Sequence, residues 1–267
     1  MEVFERFFSP DVVSGAQTTT CRLFPFVHTA PSRFAQAIWK QKKLEKMYCN
    51  KFDEELLYFF YARPAYRKVE EAATTDRSLL PVVFVVNPTD INIKRVYPFD
   101  TGAYNMYVPT YLSKDSKISD YEMPNNLNAI QQYTLAMCTT NFRYFSGTYN
   151  NGSELPESIV LLRNTNHDLD NLLKLLSNEA VSEVDDRSMT VEVQIAGDVD
   201  ISDKLVAIIA PHFYKNDPEF LRMVSETGAE PRYYSSRPKH RLLEYVGIVF
   251  ERAEQYYIDF NYMERDA

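Results

Sequence analysis

Three short segments of the sequence carry side chains that could act on a dinucleotide. They are Leu23–Thr29 (LFPFVHT), Leu57–Arg67 (LYFFYARPAYR) and Arg187–Ile195 (RSMTVEVQI). Each is predicted as a strand, or as a strand with its exit turn. They carry a His-Thr pair, an Arg/Tyr cluster and one glutamate. Together these groups suit a site that holds a dinucleotide and breaks a glycosidic bond, because they combine donors for sugar hydroxyls, guanidinium for phosphate and a carboxylate.

Glu192 lies at the centre of the strand predicted over Met189–Ile195. Because strand side chains alternate, Thr190, Glu192 and Gln194 share one face, and apolar residues share the other. An antiparallel strand with one wet face explains this pattern without any function. If the polar face instead forms the wall of a cleft, Glu192 can bond a ribose hydroxyl and stabilise positive charge that develops on the sugar ring.

His28 and Thr29 follow each other where the strand predicted over Leu23–Val27 ends. A helix is predicted from Ser32, which can cap it, to about Tyr48. A lone histidine is often a structural residue. Both side chains can also donate hydrogen bonds to ribose hydroxyls, and the two interpretations carry equal weight.

The segment around the proline break after Tyr61 combines aromatic rings with arginines. Arg63 and Arg67 form a plausible fork for a pyrophosphate, since guanidinium binds phosphate through two parallel hydrogen bonds. The rings of Tyr61 and Tyr66 could stack on nicotinamide or adenine. The alternative is an aromatic core strand with arginine stems packed over it.

The remaining pattern predicts short strands and helices in irregular alternation, which is typical of an α+β fold and not of a doubly wound sheet. Further strands are predicted over Leu56–Tyr61, Val82–Val86, Ile93–Tyr97 and Leu205–Ala210. The apolar strand Val82–Val86 is predicted to be central in a sheet, with Ile93–Tyr97 as its neighbour. Further helices are predicted over Leu127–Phe145, Leu169–Leu176, Pro218–Ser225 and Arg241–Tyr257. The motifs GxGxxG and GxxxxGK[ST] do not occur, so another architecture must hold any dinucleotide.

Composition predicts a cytoplasmic protein with no metal site. Three cysteines lie far apart at no metal spacing, the N-terminal stretch lacks a signal-peptide pattern, and no apolar run is long enough for a bilayer. The net charge of −8 disfavours bulk binding to phosphate backbones. Four lysines lie on one predicted helix and could still form a local basic groove: Lys40, Lys42, Lys43 and Lys46. A solvated helix face is the simpler interpretation.

The order of these segments resembles the ADP-ribosyltransferase superfamily, and within it the DarT-type branch of bacterial toxins that ADP-ribosylate nucleic acid. In that branch an aromatic strand runs into an arginine-containing segment that ends in a hydrophobic-Tyr pair, and Tyr58–Tyr66 (YFFYARPAY) is similar. An apolar strand follows, as at Val82–Val86. The catalytic glutamate then begins a strand that leads through a polar turn into an apolar strand, as do Glu192, Gly197–Asp203 and Leu205–Ala210.

The resemblance covers about residues 22–97 and 187–257, as patterned segments, and it has two departures. The His-Gly-Thr tripeptide of the poly-ADP-ribose branch is only His28-Thr29 here. The Arg-Ser-Glu pattern of many toxins is loosened to Arg187-Ser188 followed by Glu192.

The resemblance implies an ADP-ribosyltransferase-like split mixed sheet with an NAD cleft, flanked by helices. It implies one domain over residues 1–267, with an irregular lead-in at 1–20 and a helical and loop insertion at 104–180. The resemblance also implies that NAD is the substrate and that no metal takes part. The implied catalytic residues are Glu192 and Arg63, and the implied NAD-binding residues are His28, Thr29, Tyr61, Tyr66 and Arg67.

The function that the resemblance implies is transfer of ADP-ribose, with release of nicotinamide, by a bacterial toxin or anti-phage defence effector. A DNA or RNA base could be the acceptor, with the tyrosine-rich loop 104–121 as a stacking surface. The negative charge favours a protein or a short single strand. NAD hydrolysis and a non-catalytic partner-binding module with an aromatic surface are the alternatives. Whether an antitoxin-like inhibitor protein holds the enzyme inactive stays open.

Pro98–Gly102 (PFDTG) is predicted as a turn. Asp100 and Thr101 either stabilise this turn or line the cleft.

Overall fold

The structure, a computed structural model, describes residues 4, 7–8, 21–65, 73–108, 111–177 and 186–265 of the chain. Most of the predicted lead-in at 1–20 therefore lies outside the described residues. The chain divides into two compact units. The first unit contains Met1–Leu23, Ile93–Val193 and Asn261–Ala267, and the second contains Phe24–Asn92 and Gln194–Phe260.

The described residues combine strands and helices, which confirms the α+β class. The strands are β1 (Phe26–Pro31), β2 (Lys43–Leu44), β3 (Met47–Cys49), β4 (Glu54–Tyr61), β5 (Pro81–Val86), β6 (Ile93–Tyr97), β7 (Glu192–Ile195), β8 (Val199–Asp200), β9 (Leu205–Pro211) and β10 (Glu230–Tyr234). The helices are α1 (Ser32–Gln41), α2 (Tyr104–Tyr107), α3 (Leu127–Cys138), α4 (Asn141–Ser146), α5 (Glu157–Arg163), α6 (His167–Leu176), α7 (Pro218–Thr227) and α8 (Glu244–Asp259).

Short 3₁₀ turns connect several of these elements. They span Arg77–Leu79, Thr101–Ala103, Ile118–Tyr121, Gly152–Glu154, Asp186–Met189 and His212–Asn216. Strand β6 and the first two residues of β7 belong to the first unit, β6 and β7 are neighbouring strands, and the regular elements described between them are all helical.

The second unit is built on a mixed sheet with the strand order β10-β9-β5-β1-β4, and β3 pairs with β4. The pair β9/β10 is parallel, whereas β5/β9, β1/β5, β1/β4 and β3/β4 are antiparallel. The two short strands β2 and β8 form a separate antiparallel pair. A mixed sheet is thus present, as predicted.

Strand β5 lies inside this sheet, as its sequence PVVFVV predicts. All six residues are buried, because the strand has neighbours on both edges and apolar side chains on both faces. It pairs with β1 along its whole length and with β9 on the other side. The prediction that Ile93–Tyr97 is its neighbour is therefore wrong.

Two helices lie close to their predicted bounds: α6 ends at Leu176 as predicted but begins earlier, at His167, and α7 begins at Pro218 as predicted but ends later, at Thr227. Asn166 caps α6 by accepting a hydrogen bond from the backbone of Leu169. Asp217 caps α7, Pro218 occupies its first turn, and Gly228 ends it with a left-handed backbone at φ 69°. These cap residues act through local backbone geometry, which does not depend on the tertiary fold.

Other predicted bounds are wrong where the chain leaves the helical conformation early. The first helix ends at Gln41 and not near Tyr48, because Lys42 adopts a left-handed conformation at φ 52° and short strands follow. The helix predicted over Leu127–Phe145 is two helices, since Thr139 breaks it at φ 66° and Thr140 caps the second one. The first strand runs over β1, later than predicted, and β7 begins only at Glu192 because a 3₁₀ turn precedes it.

Candidate functional site

Thr101 of the first unit binds the Glu192 carboxylate through two hydrogen bonds. The backbone N–H of Thr101 donates to Oε2 of Glu192 at 2.9 Å, and its hydroxyl donates to Oε1 at 2.7 Å. Glu192 is 1% exposed at the start of β7. Thr190 and Gln194 are buried as well, so the non-functional interpretation of this strand, in which one face is wet, is wrong. Glu192 is a buried carboxylate with a fixed orientation.

A second contact joins the same two segments. Arg187 Nη1 lies 3.6 Å from Oδ2 of Asp100, and both side chains are buried. The backbone N–H of Asp100 donates to the carbonyl oxygen of Arg187 at 3.0 Å. Asp100 also accepts a hydrogen bond from the backbone N–H of Gly102 at 2.7 Å, which caps the 3₁₀ turn. The PFDTG turn therefore orders itself through Asp100 and holds Glu192 through Thr101.

Two buried tyrosines fix the chain that leads into β7. The Tyr149 hydroxyl donates to the carbonyl oxygen of Met189 at 2.8 Å, and the backbone N–H of Val191 donates to the Tyr144 hydroxyl at 3.1 Å. The sequence does not indicate either role, because each tyrosine lies at least 40 residues away along the chain.

Burial, with the charges of Glu122 and Glu192 in support, raises the pKa of the Tyr97 hydroxyl far above its ordinary value.

Asp100, Thr101, Arg187 and Glu192 form a group that we call the acid cluster. It contains two carboxylates and one guanidinium, so with both acids ionised its formal charge is −1. A negative charge held by fixed donors can stabilise a cation without waiting for its surroundings to reorganise. This is the chemistry that departure of a positively charged leaving group from a sugar requires.

His28 of the second unit is held in one tautomer. Its Nδ1 lies 2.9 Å from the carbonyl oxygen of Tyr58. Since a carbonyl only accepts, Nδ1 carries the proton and Nε2 keeps its lone pair in the neutral ring. Burial lowers the pKa of His28 below 6.5, against the opposing effect of the hydrogen bond to Tyr58. The half-buried ring is thus neutral at pH 7 and lies between Phe59 and Phe84, at 5.9 and 6.5 Å between ring centroids.

Thr29 follows His28 in the regular part of β1, so its side chain points to the opposite face of the sheet. The predicted action of the two side chains on one ribose therefore does not fit this strand. The Thr29 hydroxyl oxygen is buried and has no hydrogen-bond partner among the described residues. Buried hydroxyls are nearly always paired, so this oxygen is an exception to the usual pattern.

Tyr61 and Arg63 are packed into the second unit. Tyr61 is fully buried, its hydroxyl accepts a hydrogen bond from the backbone N–H of Phe24 at 3.1 Å, and its ring edge meets Phe24. Arg63 is 2% exposed, with its guanidinium carbon 5.4 Å from the ring centroid of Phe250. These positions match the structural alternative, an aromatic core strand with an arginine packed over it. The ring of Tyr61 has no exposed face for stacking, and the pyrophosphate role of Arg63 stays a prediction.

The structure assigns the predicted site residues to different units. Glu192 belongs to the first unit, whereas His28, Thr29, Tyr61 and Arg63 belong to the second. Tyr66 and Arg67 lie outside the described residues.

The tyrosine-rich loop does not present a stacking surface. Its described tyrosines are buried: Tyr104, Tyr107, Tyr111 and Tyr121. Three of these rings contact Phe99, at centroid distances of 6.1, 5.6 and 5.5 Å for Tyr104, Tyr107 and Tyr121. The loop therefore forms an aromatic core in the first unit, and the predicted platform for a nucleobase is wrong.

The four lysines do not form a basic groove. Each has an acidic partner: Lys40 pairs with Glu219, Lys42 with Glu226, Lys43 with Glu45 and Asp198, and Lys46 with Glu55. Only Lys40 lies on α1, because that helix ends at Gln41. The pairs neutralise the local charge and leave a solvated surface.

The described residues contain neither a metal site nor a membrane-spanning helix. Over the described ranges, no group of histidine, cysteine and acidic side chains has the arrangement of a metal site. None of the helices described is both long and apolar enough to cross a bilayer. Comparison with protein-family models, curated proteins and solved structures gave no match to the chain.

Proposed function

We propose that this protein is an NAD-dependent ADP-ribosyltransferase in which Glu192 stabilises the sugar cation that forms as nicotinamide leaves. The observation that supports the proposal most directly is the pair of hydrogen bonds from Thr101, which holds a buried carboxylate in one orientation at the start of β7. The sequence order that resembles the ADP-ribosyltransferase superfamily supplies the reaction class.

The role of Glu192 follows from its electrostatics. In the reaction the bond between the ribose and nicotinamide breaks, nicotinamide leaves with the bonding electrons, and an acceptor atom then attacks the same sugar carbon. Positive charge accumulates on the sugar between these events. A carboxylate that is already oriented and shielded from water stabilises that charge more strongly than one that must first reorganise.

We assign one ribose contact to His28. Its Nδ1–H is bound to the Tyr58 carbonyl, so Nε2 can accept a hydrogen bond from a sugar hydroxyl. The lowered pKa keeps the ring neutral, and therefore an acceptor, at pH 7. Thr29 is the competing candidate, because its buried hydroxyl has no partner among the described residues. Single substitutions distinguish the two, since their side chains point to opposite faces of β1.

We favour a protein as the acceptor. The buried tyrosines remove the predicted stacking platform, and the paired lysines remove the predicted basic groove, within the part of the chain that the structure describes. The net charge of −8 adds long-range repulsion toward phosphate backbones.

The test is incubation of the purified protein with NAD labelled in its adenylate phosphate, first alone and then with cell extract, DNA or RNA. Transfer to protein in the extract, lost in Glu192→Gln, is the expected result. Label on nucleic acid would keep the enzyme class but overturn the acceptor. Free ADP-ribose without any labelled macromolecule would indicate an NAD glycohydrolase.

A non-catalytic binding module is the second candidate, and the burial of Glu192 favours it. A carboxylate that is 1% exposed and bound by Thr101 already has a structural role, as the anchor of the PFDTG turn. In that case NAD is not consumed, and NAD does not raise the melting temperature, which any ligand specific for the native state must do.

A further inference from the structure

The loop that joins β10 to α8 in the second unit carries an exposed group of cations that the proposed function does not use. Three cations occur within five residues of the chain: Arg237, Lys239 and Arg241. All three side chains are exposed, and none of them forms an ion pair with a described residue. By contrast, Arg232 on β10 pairs with Asp259 at 2.8 Å. We call the three unpaired side chains the basic loop cluster.

The backbone of this loop is anchored, so the cluster has a defined position. The backbone N–H of Arg237 donates to the Tyr245 hydroxyl at 3.0 Å, and Nδ1 of the buried His240 lies 3.1 Å from the carbonyl oxygen of Arg237. His240 also exchanges two backbone hydrogen bonds with Thr74, at 2.7 and 2.9 Å. Its ring packs edge-on against the Tyr245 ring at 5.3 Å between centroids. A loop that is already ordered loses little conformational freedom when it binds a partner.

The acids near the cluster do not balance its charge. Residues 235–244 contain the three cations and one acid, Glu244, which gives a charge of +2 with histidine counted as neutral. On the segment paired with His240, Asp76 and Arg77 cancel, and the Asp76 carboxylate also caps the 3₁₀ turn that follows it. Like charges repel one another within about 10 Å at an ionic strength of about 0.1 M. An unbalanced group on an otherwise acidic chain departs from the usual mixed surface, and such departures are typical of functional sites.

We propose that the basic loop cluster docks an acidic segment of a partner protein, whose carboxylates pair with the three cations. Guanidinium and carboxylate match in shape and form two parallel hydrogen bonds. Leu243 follows the cluster and is 67% exposed, so the surface also offers an apolar contact. An acidic segment with apolar residues satisfies both features. A nucleic acid fits less well, because the net charge of −8 repels a long phosphate backbone and because the rings beside the loop, His240 and Tyr245, are buried and offer no face to a base.

The probe is a short synthetic peptide of glutamate and leucine, blocked at both ends, titrated into ¹⁵N-labelled protein. We expect the backbone amide peaks of Lys239 and Arg241 to shift and saturate, and the affinity to fall as salt is added, because exposed charge pairs are screened. The same peptide with glutamine in place of glutamate should bind about tenfold more weakly or not at all, since it keeps the apolar contact but loses the charge pairs. An oligothymidylate in a parallel titration tests nucleic acid as the partner.

Two triple variants of equal net charge separate the cluster from the charge of the whole protein. The cluster variant combines Arg237→Gln, Lys239→Gln and Arg241→Gln. The control variant replaces three exposed cations outside the loop that also form no ion pair with a described residue: Arg33→Gln, Lys114→Gln and Lys117→Gln.

We expect the acidic peptide to bind the cluster variant about tenfold more weakly than the wild type and the control variant unchanged, because three exposed charge pairs are lost only in the first. Unchanged melting temperatures show that both variants are folded, and the amide shifts of the wild type locate the site without either variant. Loop amides that ignore the peptide, equal binding of the glutamine peptide, equal weakening in both variants, or tighter binding of oligothymidylate would overturn the proposal.

Discussion

Replacement of Glu192 by glutamine separates a catalytic carboxylate from a structural one. The amide can keep both contacts with Thr101: its oxygen accepts from the Thr101 N–H, now at 2.9 Å, and its NH₂ donates to the Thr101 hydroxyl, now at 2.7 Å, once that hydroxyl rotates. The substitution removes the negative charge and preserves the shape of the side chain.

The cost in folding is small by this geometry. A hydrogen bond to a charged group contributes about 1.5–3 kcal/mol, and a neutral one about 0.5–1.5 kcal/mol, so two bonds lose roughly 2–3 kcal/mol. The neutral amide is cheaper to bury than a carboxylate, which offsets much of that loss. We expect the free energy of unfolding to fall by no more than about 2 kcal/mol. The loss of one electrostatic stabiliser should reduce turnover about 10²-fold or more, with NAD binding retained.

Three measurements test this prediction. Nicotinamide release at saturating NAD reports turnover, the shift of melting temperature with NAD reports binding, and urea denaturation reports stability. Glu192→Ala is the comparison, because it leaves both Thr101 donors without an acceptor and should be much less stable. Wild-type turnover in Glu192→Gln would remove this carboxylate from the mechanism. Inactivity with equal loss of stability in both variants would indicate an anchor for the PFDTG turn.

Three further predictions concern residues around the two candidate sites. The pKa of His28 is lowered in the folded state, so its contribution to stability is complete above about pH 6.5 and is lost as the pH falls toward the folded pKa. Urea denaturation at pH 7.5 and at pH 5.5 should show this loss of stability, and the loss should be smaller in His28→Gln. Arg187→Met should cost about 3 kcal/mol by leaving Asp100 buried without its cation. Adding Asp100→Asn should restore part of that stability, and strictly additive losses in urea denaturation would show that the two side chains are not coupled. Thr29→Val should keep or raise the melting temperature, since it removes a buried hydroxyl without a described partner; loss of NAD binding in this variant, but not in His28→Gln, would transfer the ribose contact to Thr29.

The sequence by itself determined the strands and helix ends that depend only on residues nearby in the chain. The apolar run of β5 predicts a strand covered on both faces, and the sequence pattern predicts the end of α6 at Leu176 and the start of α7 at Pro218. Each signal acts over a few residues, through side-chain periodicity or through the unpaired N–H groups of a helix end. The α+β class follows from the same patterns.

The tertiary structure alone decided which of these segments meet. Thr101 and Glu192 are 91 residues apart in the chain, and Tyr144 reaches Val191 across 47. One interpretation of the polar alternation around Glu192 is a wet face, yet that face is buried, and Thr101 binds the carboxylate. Likewise, the spacing of the lysines predicts a basic helix face, but Lys42 ends that helix and distant acids pair with each lysine. Burial of a polar group depends on its partner, and a partner that lies far along the chain leaves no local pattern.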